Sequence, residues 1–191
     1  MNEQEKKLQG QDKFDPFTDR TARDIRNSLS EAFVAAIGAE NPHEYLKIAR
    51  QWRKQNLSSV HAGYIADRLL RYEDVLNTIH AGEVTDPLQQ ALVIWNQGLF
   101  FEFHDHLEAI WKAADGDKRQ ALKGLIKAAG VFIHLEQDHQ QAAESLAMKA
   151  HALLQQYHHC LTFIANTETL LNTLKTGEPH PPRLEICSFD E

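Results

Sequence analysis

Apolar residues recur along this chain at intervals of three and four, the spacing of one face of an α-helix, and no stretch alternates as a strand would. A first helix is predicted from about Asp19 to Ile37, with Ile25, Leu29, Phe33 and Ile37 as its apolar stripe. Asn41 and Pro42 form a cap-plus-proline start for a second helix that reaches about Gln55. A third begins at Ser58 or Ser59 and carries Tyr64, Leu69, Tyr72, Leu76 and Ile79, with Gly82 as its left-handed stop.

Asp86-Pro87 opens a fourth helix running to Gly98. "FFEFHDHLEAIWKAA" follows as far as the "DGD" turn at 115–117, and Asp117 caps the next helix. Asp138 caps a long helix to about His159; Asn166 caps a short last one, which Gly177 closes. The proline-broken tail "EPHPPRLEICSFDE" is expected to lie over the surface. The fold class is therefore all-α, a compact bundle of about seven or eight mostly antiparallel helices with short connections.

Four segments follow: a mobile N-terminal segment over 1–18, tethered if at all by Phe14 and Phe17; an N-terminal helical part, 19–85, packed on the core; a helical core, 86–176; and a tail, 177–191. "VTDP" at 84–87 is the joint between the two helical parts and is too short for a flexible linker.

Composition narrows the function classes. With 42% hydrophobic and 25% charged residues, the chain can fill a sizeable core. A formal charge of −7 gives no broad electrostatic case for nucleic acid or an anionic membrane. The N-terminus has no apolar signal region, and no stretch approaches a transmembrane helix. Cys160 and Cys187 form no CxxC, which suits reduced thiols in a cytoplasmic protein. A homo-oligomer and a small-molecule ligand stay open as partners.

"FFEFHDHLEAIW", residues 100–111, mixes four large aromatics with two histidines and three carboxylates. On a helical wheel Phe100, Phe103, Leu107, Ile110 and Trp111 form one apolar arc, with Phe101 apart from it. His104 and Glu108 fall in the gap between Trp111 and Phe101, with Asp105 just beyond; Glu102 and His106 point to the opposite, more polar side. A His–Glu pair at i,i+4 that locks the helix in place is the plain explanation.

The next helix suggests more. "ALKGLIKAAGVFIHL" is apolar nearly all round except for Lys123, Lys127 and His134, with Gly130 between them on one face. Two polar stripes on neighbouring apolar helices would face each other, placing His104, Glu108 and His134 in one pocket lined by Phe101, Trp111, Lys123, Lys127 and Gly130. Two histidines and a carboxylate can bind a divalent ion, zinc, manganese or iron, with positions left for water. Asp105 would then act as general base or as an orienting group. Rival motifs are weaker. HExxH, GxSxG, P-loop and GxGxxG patterns are absent, and Glu136-x-x-His139 lacks the second copy of a di-iron bundle. Tyr157 to Cys160 reads as an exposed helix end, and Arg20, Arg23 and Arg26 as a solvated face.

"WNQGLFFEFHDHLEAIW" together with "LKGLIKAAGVFIH" resembles a bacterial and archaeal family of small helical proteins of unknown function. Its pattern is Asn-x-Gly, then FFExHExLExxW, then QGLIQxAAxxxH. The resemblance spans residues 88–175, and "FDPFTDRTARDIRNSLSEAF" is similar to an N-terminal segment of some members. It implies a compact all-α core, with His104, Glu108, Trp111 and His134 on motif positions and Asp105 in place of a glutamate. Members are often labelled metal-dependent hydrolases, a label that itself rests on the His/Glu motif. Lys123 and Lys127 stand where the pattern has glutamines. Two cations beside a metal would weaken its binding, or they would pair with Glu108 and Asp105, or hold an anion. The expectation is a His/Glu pocket of the metal-dependent hydrolase type. The alternative is a non-catalytic interaction or self-association module whose polar cluster fixes helix register.

Overall fold

A computed structural model describes residues 13–37 and 43–187. The expected caps Asn41 and Pro42 lie outside the described residues, as do 1–12 and 188–191. Eight α-helices fill the described chain: α1 (Arg20–Ile37), α2 (Glu44–Arg53), α3 (Ser59–Ala81), α4 (Pro87–Asn96), α5 (Phe100–Ala113), α6 (Gly116–Leu135), α7 (Gln140–Tyr157) and α8 (Thr167–Thr176). A short 3₁₀ turn, His158–Cys160, follows α7. The all-α class is as the periodicity required. The chain divides into two compact units, Met1–Asp74 and Val75–Glu191, with the division inside α3.

In the first unit the stripe Ile25, Leu29 and Phe33 is fully buried. Phe33 stacks on Tyr72 at 4.0 Å between ring centroids, and Tyr45 meets both rings edge-on, at 6.3 and 5.5 Å. Three aromatics in mutual contact fasten α1, α2 and α3 together. Trp52 Nε1 donates to Ser28 Oγ at 2.9 Å, a second tie between α2 and α1. Asp19 caps α1 by accepting from the Thr21 N–H at 2.7 Å, and its other oxygen lies 2.7 Å from His61 Nε2. The tether expected from Phe14 is made: its ring stacks on Tyr64 at 3.6 Å.

In the second unit successive helices pack as antiparallel neighbours, α4 on α5, α5 on α6, α6 on α7 and α7 on α8. Asp86 caps α4 as expected, accepting from Leu88 and Gln89 at 2.8 and 2.9 Å, with Pro87 at the first helical position. Trp95 is the hub of the core and meets Phe100, Phe103 and Phe132 edge-on, at 5.1, 5.0 and 5.5 Å. At Gly124 α6 lies close against α7: an added Cβ would stand 2.8 Å from Leu154 Cδ2.

Three expected end signals are displaced by one or two residues. Glu83, not Gly82, takes the left-handed conformation, with φ 49°. Asp115, not Asp117, is the N-cap of α6. Asp138 has φ 58° and turns the chain between α6 and α7, so that His139 stands at the N-cap. Neither Asp115 nor His139 makes a side-chain cap hydrogen bond, and sequence spacing alone does not rank neighbouring positions at a helix end.

Candidate functional site

The motif helix α5 is held on two sides. Gln97-Gly98-Leu99 folds it back on α4, with Gly98 at φ 68°, and Ala114-Asp115 folds it onto α6. His104 lies on its half-open edge. His104 Nδ1 is 3.3 Å from Asp105 Oδ1, and Nε2 is 3.8 Å from Glu108 Oε1. Phe101 lies beside the imidazole in a nearly parallel orientation, 6.2 Å between centroids. The second oxygen of Glu108 takes a 2.9 Å hydrogen bond from Lys112 Nζ. The structure thus brings His104, Asp105 and Glu108 together, on one helix.

The other expected members have neighbours of their own. Lys123 is exposed and Lys127 is half-buried; neither makes an ion pair with Glu108. Gly130 faces α7, where its added Cβ would lie 3.2 Å from Leu146 Cδ1. Trp111 carries the Arg119 guanidinium over its ring at 4.6 Å. His134 meets His139 across the α6–α7 turn, Nδ1 to Nδ1 at 3.5 Å. Burial, then the nearby His139, lowers the His134 pKa and favours its neutral ring. Phe132, two residues before His134, packs on Phe100 at 5.2 Å between ring centroids, which fixes α6 against α5 at that level.

Glu102 and His106 correct the helical wheel. The expectation placed them on the polar side, yet Glu102 is 0% and His106 9% exposed. His106 looks toward the start of α4, and α5 is buried beyond its one expected arc. His106 Nε2 donates to the Pro87 carbonyl at 2.9 Å, which fixes that tautomer. Burial lowers its pKa, against the opposing pull of that hydrogen bond. The available signal was the tight Asn-Gln-Gly turn, which puts α4 directly behind α5.

The tail was also missed as an ordered element. Residues 182–187 lie extended across the unit. Asn96 donates through Nδ2 to the Leu184 carbonyl and accepts the Leu184 N–H, both at 2.8 Å. Asn166 repeats the arrangement, donating to Arg183 O and accepting from Glu185 N–H, both at 2.9 Å. Asn166 therefore makes no side-chain cap for α8. Trp95 Nε1 donates to Pro182 O at 2.8 Å, and Ile164 and Ile186 form an isolated antiparallel bridge.

Residues 88–146 match a family described as a domain of unknown function, DUF309. That stretch carries α4, α5, α6 and the start of α7, so it takes in both motif segments. The DUF309 match supports a family of unknown function and names no reaction. Comparison with curated proteins and with solved structures returned no match.

Three cavities of about 420, 380 and 550 Å³ lie along α6, α7, α8 and the tail, and none of the three is lined by His104, Glu108, Lys123 or Lys127. Among the described residues no three His, Cys, Asp or Glu side chains form a group that could hold a metal ion. No helix among them is long and apolar enough to cross a membrane.

Proposed function

We propose that this chain is a non-catalytic helical association module, and that the polar stripe on α5 serves the helix that carries it. One observation supports this reading: His104, Glu108 and Lys112 find their polar partners on α5 itself, at i,i+1 and i,i+4. A half-open ladder of such pairs steadies a solvated helix face, each pair contributing about 0.2–0.5 kcal/mol. The recognition chemistry of the second unit lies at Asn96 and Asn166, which are matched to an extended backbone rather than to a small molecule.

A metal-dependent hydrolase is the second reading, and one distance favours it. His104 Nε2 and Glu108 Oε1 stand side by side at 3.8 Å, with Asp105 on Nδ1 to fix the tautomer. A catalytic zinc takes three protein ligands. On this reading a third ligand would have to join His104 and Glu108.

Calorimetric titration of the chelator-treated full chain with Zn²⁺ and Mn²⁺ separates the two readings, alongside assays with model carboxylate and phosphate esters. The expected result is no stoichiometric binding that depends on His104 and no ester turnover. One-to-one binding lost in His104→Gln and Glu108→Gln would overturn the association reading in favour of the hydrolase.

A further inference from the structure

The tail is recognised almost wholly through its backbone. Between Pro182 and Cys187, Trp95, Asn96 and Asn166 supply five side-chain hydrogen bonds. Ala165 N–H donates to Glu185 O at 2.8 Å and Cys187 N–H to Phe163 O at 3.0 Å. An asparagine amide that donates to and accepts from an extended segment does what a neighbouring strand would do. Leu184 is the side chain driven inward, 1% exposed, while Arg183 and Glu185 on either side of it are exposed. Backbone reading with one apolar anchor is the form of a peptide site.

The approach to this site is a hinge. Gly177, at φ 71°, ends α8, and Pro179, His180 and Pro181 are exposed and make no hydrogen bond among the described residues. Prolines hold this stretch extended and give it nothing to fold onto.

We infer that the groove between Asn96 and Asn166 is a peptide site that takes residues 182–187 of a second copy of this chain, so that two chains associate by exchanging tails. The inference rests on the association reading above and names its partner. The recognised segment is the chain's own, so every bond made within one chain is available between two. A foreign peptide would have to match Leu184 and the backbone register together, whereas a second copy does so by identity.

The test shortens the hinge and leaves every contacting residue in place. The full chain lacking residues 179–181 is expected to be a dimer by light scattering, with an unchanged helical circular dichroism signal. Adding Leu184→Asp should return it to monomer. A shortened chain that stays monomeric at every concentration, or a dimer that survives Leu184→Asp, would overturn tail exchange.

Should the shortened chain fail to fold, a fluorescent peptide of residues 181–186 is titrated into the full chain carrying Leu184→Asp. Saturable binding is expected, weakened about tenfold or more when the peptide itself carries Asp in place of its leucine, and lost with Asn96→Ala. Absence of binding overturns the inference. So does equally tight binding of an unrelated extended peptide, which would make the partner another protein. Metal binding at His104 ends the association reading. A parent dimer indifferent to Leu184→Asp ends only the exchange.

Discussion

The carboxamide of Asn96 satisfies both backbone groups of Leu184, accepting its N–H and donating to its carbonyl, each at 2.8 Å. Residues 88 positions apart in sequence are joined by a pairing that needs both ends of one amide. Asn96→Ala leaves two backbone groups of the tail without their partner, and should cost about 1–3 kcal/mol. Asn96→Asp should be no better, because a carboxylate faces the Leu184 carbonyl where a donor is required. Denaturant unfolding gives the stability. Hydrogen exchange at the Leu184 amide should accelerate in both variants; unchanged protection there would show that the tail is held without Asn96.

Gly124 and Gly63 should respond in opposite directions to alanine. A Cβ at Gly124 would lie 2.8 and 2.9 Å from two atoms of Leu154 and 3.3 Å from Leu153 Cβ, at the α6–α7 contact. Overpacking costs about 1–3 kcal/mol, against a gain in helix propensity of about 1 kcal/mol, so Gly124→Ala should be net destabilising. At Gly63, inside α3, nothing lies within 4 Å of the added Cβ. Gly63→Ala should stabilise by about 0.5–1 kcal/mol. Thermal melts of the two variants would show it, and a shift in the same direction for both would refute the packing argument at Gly124.

His106 makes stability depend on pH in a definite direction. Burial holds its pKa below the usual 6.5, so the native state prefers the neutral ring more strongly than the unfolded chain does. The stability tied to that neutral ring is fully present above 6.5. It is lost as pH falls through 6.5 to the lower native value, and no further loss comes from this residue below that. His106→Gln keeps a donor for the Pro87 carbonyl and cannot titrate. The drop in unfolding midpoint between pH 7 and pH 5 should be smaller in the variant; equal drops would place the sensitivity at other groups.

Asp86 should matter more than its exposure suggests. Its carboxylate accepts from the Leu88 and Gln89 N–H groups, two of the donors that the first turn of α4 cannot satisfy itself. Asp86→Ala should cost about 0.5–2 kcal/mol and Asp86→Asn much less, since asparagine also caps. Denaturation midpoints of the pair would decide. A loss in the asparagine variant as large as in the alanine one would point to charge rather than capping.

At the candidate site, the local part was legible and the distant part was not. That His104, Asp105 and Glu108 stand together follows from helical spacing, because i,i+1 and i,i+4 distances are set by the backbone. Whether His134 joins them depends on the register of α5 against α6, which the Phe100–Phe132 contact sets and no periodicity reveals. Glu102 and His106 show the same limit. A wheel has one axis and knows nothing of a second neighbour, so it placed toward water two residues that the fold buries.

Helix content, the all-α class and most helix ends were written in the sequence, because apolar spacing, Asp86-Pro87 and Gly177 act within a few residues of themselves. The buried carboxylate of Glu102, the partner of His134 and the docking of residues 182–187 were decided only by tertiary structure. Each depends on which surface arrives opposite a residue after the chain has folded back. The side chains of Asn96 and Asn166 could have served as turn or cap residues. They became a clamp because folding brought a backbone with unsatisfied donors and acceptors between them.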